Sequence, residues 1–295
     1  MTRVFSRCHR VLAIDVTAAV SPATLPAIPD TPSGTLPAMI RSVVRDHVAE
    51  IIIDNPPVNA LPAAGWFELA DAIRAAGRDA DVRAVIVAAN PELRAFQVGV
   101  DIKELAADPT KHTLIAVNRG CYETFAAVYD CEVPVIAAVH GYCLGGGVGI
   151  AGNADIVVAA DDATFGLPEV DRGALGVATH LARLVPYKKM RAMYFTGTMV
   201  TAAELLEFGT VERVVPRAEL MDAAREIAAV IVEKSPLVIR RAKESLNAID
   251  PIDVKRSYRF EQGFTFELNL WGDSDELRQA FVDKRDADLG KKEPT

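Results

Sequence analysis

No CxxC pair and no HExxH motif occurs in this 295-residue sequence. Its cysteines, Cys8, Cys121, Cys131 and Cys143, lack both metal-ligand spacing and the pattern of a small secreted disulfide scaffold. They read as buried small hydrophobes and free thiols. The histidines, His9, His47, His112, His140 and His180, are scattered, so no metal site is expected. Basic charge is also short: 32 Lys and Arg against 40 Asp and Glu leave a net charge of −8. A nucleic-acid partner needs clustered cations for its phosphates and is not expected here. No first βαβ unit at the N-terminus carries a GxGxxG fingerprint, so the glycine run at 145–149 is not read as a dinucleotide site.

Charge is missing altogether from residues 133–154, which superficially resemble a membrane span. Pro134, His140, Asn153 and the run Gly145-Gly146-Gly147 argue otherwise. A buried strand, a glycine turn and a buried helix explain the stretch better. The expectation is a soluble, cytoplasmic protein with no membrane partner.

What is present is apolar material for a large core, half of all residues. Residues 1–38 differ from the rest. Pro22, Pro26, Pro29, Pro32 and Pro37 stand among Ala, Ser and Thr, with Arg3, Arg7 and Arg10 at the start. Asp15 interrupts the apolar part and no convincing cleavage site follows, so a disordered extension is expected rather than a targeting peptide. An over-long start, with Met39 as the functional beginning, reads the same way.

Regular patterning begins at Val48. Residues 48–53 read as a strand ended by Asp54-Asn55-Pro56-Pro57, and Trp66, Leu69, Ala70 and Ile73 then recur at helical spacing. Strands are expected at 82–88, 135–139 and 156–159, with an amphipathic helix carrying Leu114, Val117, Cys121, Phe125 and Val128 between the first two. This alternation predicts an α/β layer arrangement with mostly parallel pairing. Beyond about residue 178 only 211–215 looks extended, and helices are expected at 219–232, 237–248 and from Asp275 onward.

Two glycine-containing loops, each after a strand, are the candidates for chemistry. One runs from Arg94 through Gly99-Val100-Asp101 into a helix. The other is His140-Gly141-Tyr142-Cys143-Leu144-Gly145-Gly146-Gly147. Glycines before a helix allow close approach to the backbone and leave N-terminal N–H groups without partners. Such donors, backed by the helix dipole, stabilise negative charge. Two such loops can give one donor each to a shared oxygen.

Seven segments together resemble one family. They are Asp54-Asn55-Pro56-Pro57-Val58-Asn59-Ala60, Gly99 to Glu104, Gly141 to Gly147, Phe165-Gly166-Leu167-Pro168-Glu169, Thr196-Gly197 with Ala202-Ala203-Glu204, 211–216 and 280–285. In order and spacing, over residues 43–289, they resemble the crotonase (enoyl-CoA hydratase/isomerase) superfamily. The resemblance implies a crotonase-like spiral of stacked ββα units over 39–230. A helical C-terminal trimerisation region follows over 231–295, with trimers often paired into hexamers. It implies an acyl-CoA substrate and no cofactor beyond the CoA moiety. The backbone N–H groups of Val100 and Gly146 match the family's oxyanion hole. Arg94, Ala95, Phe96, Val98, Asp101, Ile102 and Lys103 match its CoA-contacting region. Phe281 and Lys284 match residues that reach CoA from the C-terminal helix, sometimes across a subunit boundary.

The sequence departs from a typical hydratase at one place. Such an enzyme positions water between two glutamates; the second matches Glu169, and the first falls on Gly149, which is neither acid nor base. Glu169 is the expected acid/base group and Asp171, beside Arg172, a weaker candidate. His140 is expected to be a satisfied buried histidine. One base plus an enolate sink fits double-bond isomerisation or hydrolytic C–C cleavage of a β-keto thioester. The segments 57–60, 118–121, 169–176 and 261–267 resemble the actinobacterial branch that opens steroid C/D-ring CoA intermediates, and that branch also lacks the first glutamate. Trp66, Phe125, Phe264 and Phe266 read as pocket-shaping residues or equally well as plain core, so they do not decide the reaction. A non-catalytic crotonase-like scaffold remains the competing expectation from a different class.

Overall fold

The computed structural model describes residues 38–289. The proposed extension, 1–38, lies almost wholly outside the described residues. The chain enters on β1 (Ile40–Arg45) and returns antiparallel as β2 (Val48–Ile53). Helix α1 (Ala63–Arg78) leads to β3 (Ala84–Ala89) and the short β4 (Ala95–Gln97). Helices α2 (Ile102–Ala107) and α3 (His112–Tyr129) precede β5 (Val135–Val139) and β6 (Tyr142–Leu144). Helix α4 (Gly146–Asn153) precedes β7 (Ile156–Ala160) and β8 (Thr164–Gly166).

A 3-10 turn, Pro168–Arg172, follows, then α5 (Ala178–Leu181), α6 (Tyr187–Thr196) and β9 (Met199–Thr201). Helix α7 (Ala202–Glu207) is held by a capping box between Thr201 and Glu204 and leads to β10 (Arg213–Val215). The chain then becomes helical as α8 (Leu220–Val232), α9 (Pro236–Ala248), α10 (Val254–Trp271) and α11 (Asp273–Asp283).

The strands form two sheets. The larger has the order β1-β2-β3-β5-β7-β10, parallel from β2 onward, and the smaller has the order β4-β6-β8-β9. The pairs β3–β4, β5–β6 and β7–β8 each place one strand in the large sheet and the next in the small one. A helical segment separates successive pairs, so the chain climbs as a spiral of ββα units. This is the expected architecture.

The apolar runs of β3, β5 and β7 suit strands covered on both faces. Successive side chains alternate between two cores. Val85, Val87, Val135, Ala137 and Val157 face one, with Trp66, Phe96 and Phe125. Ile86, Ala88, Ile136, Ala138 and Val158 face the other, against Leu220, Ala224 and Ala228 of α8. Each fully buried Val or Ile contributes about 1.5–3 kcal/mol. Lys243 of α9, nearly fully buried, ties that helix to the sheet end by reaching both oxygens of Asp155 at 2.7 and 2.6 Å.

The C-terminal helices fold back on their own chain. Helix α10 packs on α3 and α5, and α11 on α2 and the 168–172 turn. Phe264 is not core, being 42% exposed on α10, whereas Trp66 and Phe125 are buried. Among the described residues no helix is long and apolar enough to cross a membrane, and no cluster of His, Cys, Asp and Glu could hold a metal.

Candidate active site

The loop 54–60 sets the first wall. Asn59, fully buried, takes a left-handed φ of 56° and accepts from the Asn55 amide at 2.7 Å through Oδ1. Its Nδ2 donates to the carbonyls of Ala95 and Phe96, both at 3.0 Å. One short side chain thus staples the loop to β4. Leu61 then bridges Val100: its amide donates to the Gly99 carbonyl at 3.0 Å, and its carbonyl accepts from Asp101 at 2.9 Å. In such a bridge the flanking residues make both bonds, so the Val100 amide faces away from Leu61.

Gly99, at φ 95°, turns the chain into α2, and Asp101 caps that helix by accepting from the Lys103 amide at 2.9 Å. Glu104 ties α2 to α1 by accepting from the Ala63 amide at 3.0 Å. The second loop meets the first at this corner. A β-carbon built on Gly99 would lie 3.6 Å from the Gly146 nitrogen. Gly145, at φ 53° and ψ −113°, opens α4 and leaves the Gly146 amide at its N-terminus. Among the described residues neither the Val100 nor the Gly146 amide has a protein acceptor. The ring of Trp66 fills the space where Gly146 would carry a side chain.

Glu169 reaches the same corner. A β-carbon on Gly145 would collide with its Oε1 and lie 3.7 Å from the Gly99 Cα. The residue as a whole keeps some exposure, but Oε2 is enclosed and has no hydrogen-bond partner among the described residues. Burial, with the charge of Glu261 adding to it, pushes the Glu169 carboxyl up to about 8. Cys121, Tyr194 and Tyr258 also feel its charge. Glu261 is committed elsewhere: it accepts from the amides of Ala178 and Thr179, both at 2.9 Å, fixing the start of α5.

Behind Gly149 stands a wall of rings. Phe125 packs edge-on to Trp66 at 5.9 Å and to His180 at 5.0 Å, and Tyr258 lies 5.0 Å from Phe125. Burial drives the His180 imidazole down to about 3, so it is neutral. Any β-carbon on Gly149 would collide with the Phe125 ring. The place of a hydratase's first glutamate is therefore closed by an aromatic side chain.

The family model described as enoyl-CoA hydratase/isomerase matches residues 44–292. The chain belongs to that family. Its relatives include "(7aS)-7a-methyl-1,5-dioxo-2,3,5,6,7,7a-hexahydro-1H-indene-carboxyl-CoA hydrolase" of Rhodococcus jostii, 60% identical over 238 residues, covering 81% of this chain and 92% of that one. A protein of the same name from Mycobacterium tuberculosis is 56% identical, covering 80% and 95%. A crystal structure of an enoyl-CoA hydratase from Mycobacterium avium subsp. paratuberculosis superposes with a TM-score of 0.75 over 86% of this chain and 99% of that one. At 23% identity that likeness is one of fold.

Enzymes of this family act on acyl-CoA thioesters. Of the residues expected to contact CoA, Arg94 and Lys103 are exposed and Val98, Asp101 and Ile102 partly so. Ala95 and Phe96 are fully buried, main chain included, and their carbonyls are taken by Asn59. Lys284 ends α11 on the surface, while the Phe281 ring lies 4.2 Å beneath the Arg172 guanidinium of its own chain. Asp171 is exposed, with its carboxylate against Gly197 rather than Gly145. His140 is buried and its Nε2 donates to the Leu93 carbonyl at 3.1 Å, as expected of a satisfied histidine. Two residues were not expected at the site. Tyr258, from α10, carries no motif, and Gln97 lies inside a recognised loop but is polar at an inward position, the signal that could have found it.

Proposed function

We propose that this enzyme opens a carbon ring by hydrolysing a C–C bond in a bicyclic β-keto CoA thioester of steroid origin. The observation that carries this is the pairing of one buried carboxylate, Glu169, with a Phe125 ring closing the place of a second. The names of its two similar relatives support the same chemistry.

In this mechanism ionised Glu169 takes a proton from water as the oxygen attacks the β-carbonyl. The bond between the β-carbon and the α-carbon then breaks. Its electron pair passes into the thioester as an enolate, whose oxygen is held by the Val100 and Gly146 amides. Protonated Glu169 returns the proton to the α-carbon. The product has gained one water and one new carboxylate. The two donors act where charge develops, and losing one such donor costs about 3–4 kcal/mol of transition-state stabilisation. Asp171 has no part in this scheme. Arg94, Val98, Asp101, Ile102 and Lys103, all at least partly exposed, take the CoA moiety, with Phe281 and Lys284 at its edge.

Double-bond isomerisation is the second reading, because it also needs a single carboxylate. Product mass separates the two: isomerisation leaves it unchanged, and ring hydrolysis adds water with a new acid. A hydratase adds water without that acid. Glu169→Gln should abolish turnover while CoA-ester binding stays nearly intact; unchanged turnover would remove Glu169 from the mechanism. Absence of α-carbon deuterium exchange across varied acyl-CoA esters would favour a scaffold instead.

We further propose a homotrimer, or paired trimers, built on the C-terminal helices. Leu237, Val238, Leu246, Ile249, Leu270 and Trp271 are all at least 60% exposed there. Apolar surface of that extent on α9 and α10 is covered in a stable assembly.

A further inference from the structure

We infer that Gln97 is a positioning residue that sets the direction of the Val100 amide, an inference that rests on the enolate mechanism proposed above. Gln97 ends β4 and is fully buried. Its side chain folds onto the loop two residues ahead. Oε1 accepts from the Gly99 amide at 2.8 Å, and Nε2 donates to the Gly99 carbonyl at 2.6 Å. The reverse amide orientation would set donor against donor and acceptor against acceptor, so both bonds define one orientation.

The Gly99 carbonyl and the Val100 amide belong to one planar trans peptide unit, in which C=O and N–H point in opposite directions. Holding the oxygen therefore aims the hydrogen. Gln97 Nε2 and the Leu61 amide, the latter at 3.0 Å, hold that oxygen together. A glycine at φ 95° has little steric preference of its own, and this peptide would otherwise be free to rotate. Gln97 also touches the second loop. Its Oε1 lies 3.1 Å from a β-carbon position on Gly146, and its carbonyl oxygen fills the space over Gly147. Gln97 thus sits between the two donor-bearing loops, its side chain bonded to Gly99 and its backbone carbonyl packed over Gly147, and an oxyanion hole is effective only when its donors need no reorganisation.

The test uses Gln97→Met, which keeps length and volume but removes both bonds, on the full chain. The readouts are kcat, KM, CoA affinity, and the vibrational frequency of a 13C-labelled thioester carbonyl in bound acetoacetyl-CoA. The expected result is a kcat lowered about ten- to a hundred-fold with KM within about two-fold. CoA affinity stays unchanged, and the carbonyl loses most of the red shift seen with the parent enzyme. A Met variant that retains both kcat and the red shift overturns the proposal. Should the Met variant lose its cooperative melt, Gln97→Asn carries the same comparison. Its amide is one methylene too short to reach both atoms of Gly99, and wild-type behaviour there is equally fatal. If the parent enzyme itself shows no carbonyl shift, the enolate mechanism fails first and this inference with it.

Discussion

The ring of Phe125 occupies the volume that any side chain at Gly149 would need. That relationship turns a missing glutamate into a positive feature of the site. The space beside Gly149 is filled by an aromatic ring, so no acid at residue 149 can partner Glu169 in the proposed mechanism. Gly149→Ala should lower stability by about 1–3 kcal/mol through overpacking. Phe125→Leu, mild on its own, should recover part of that loss in the double variant. A denaturation double-mutant cycle at fixed protein concentration reads the coupling. Strict additivity would show that the two residues do not share this space.

Glu169 gives the enzyme a pH signature. Its carboxyl is raised to about 8 by burial, and the proposed mechanism uses it as a base only when ionised. The kcat/KM of the free enzyme should therefore rise with pH along a limb centred near 8 and level off above it. Stability runs the other way. The unfolded carboxyl ionises near 4.5 while the folded one holds its proton to about 8, so stability falls as pH rises across that window. Glu169→Gln should remove this decline and melt higher than the parent at pH 8. An unaltered pH dependence of melting would mean the carboxylate is solvated.

Asn59 serves the site through the backbone. Asn59→Ala strands the carbonyls of Ala95 and Phe96 and the Asn55 amide, and puts an alanine at a φ of 56°. A loss of about 2–3 kcal/mol is expected from chemical denaturation. The kcat should drop as well, because β4 ends in Gln97 and leads directly to Gly99.

Assembly is checked by mass. Light scattering behind size exclusion should return three or six times the chain mass. Trp271→Glu with Leu270→Lys should shift it toward monomer. A parent protein already monomeric at micromolar concentration would contradict the assembly proposed for α9 and α10.

Much of the fold was legible in the sequence because its strands are apolar on both faces. The segments expected at 135–139 and 156–159 match β5 and β7 nearly residue for residue, and a helix opens directly after Asp101 as expected. The second sheet was not legible. Strands β4, β6, β8 and β9 are three residues each, too short to show a period of two, and are held by neighbours far along the chain. Phe264 was weighed as core on its aromatic character, yet it lies on the exposed side of α10, a face that only the packing of that helix on α3 and α5 defines.

The sequence itself carried the motifs that resemble the family, placed its glycine loops, and showed that residue 149 carries no acid. Contacts between distant segments settled the rest: that Phe125 closes the gap at Gly149, that burial raises the Glu169 carboxyl, and that Leu61 holds the Gly99 carbonyl beside Gln97. The division has a physical origin. Turns, caps and alternation are set by a few adjacent residues, whereas desolvation and the direction of an amide depend on everything packed around them.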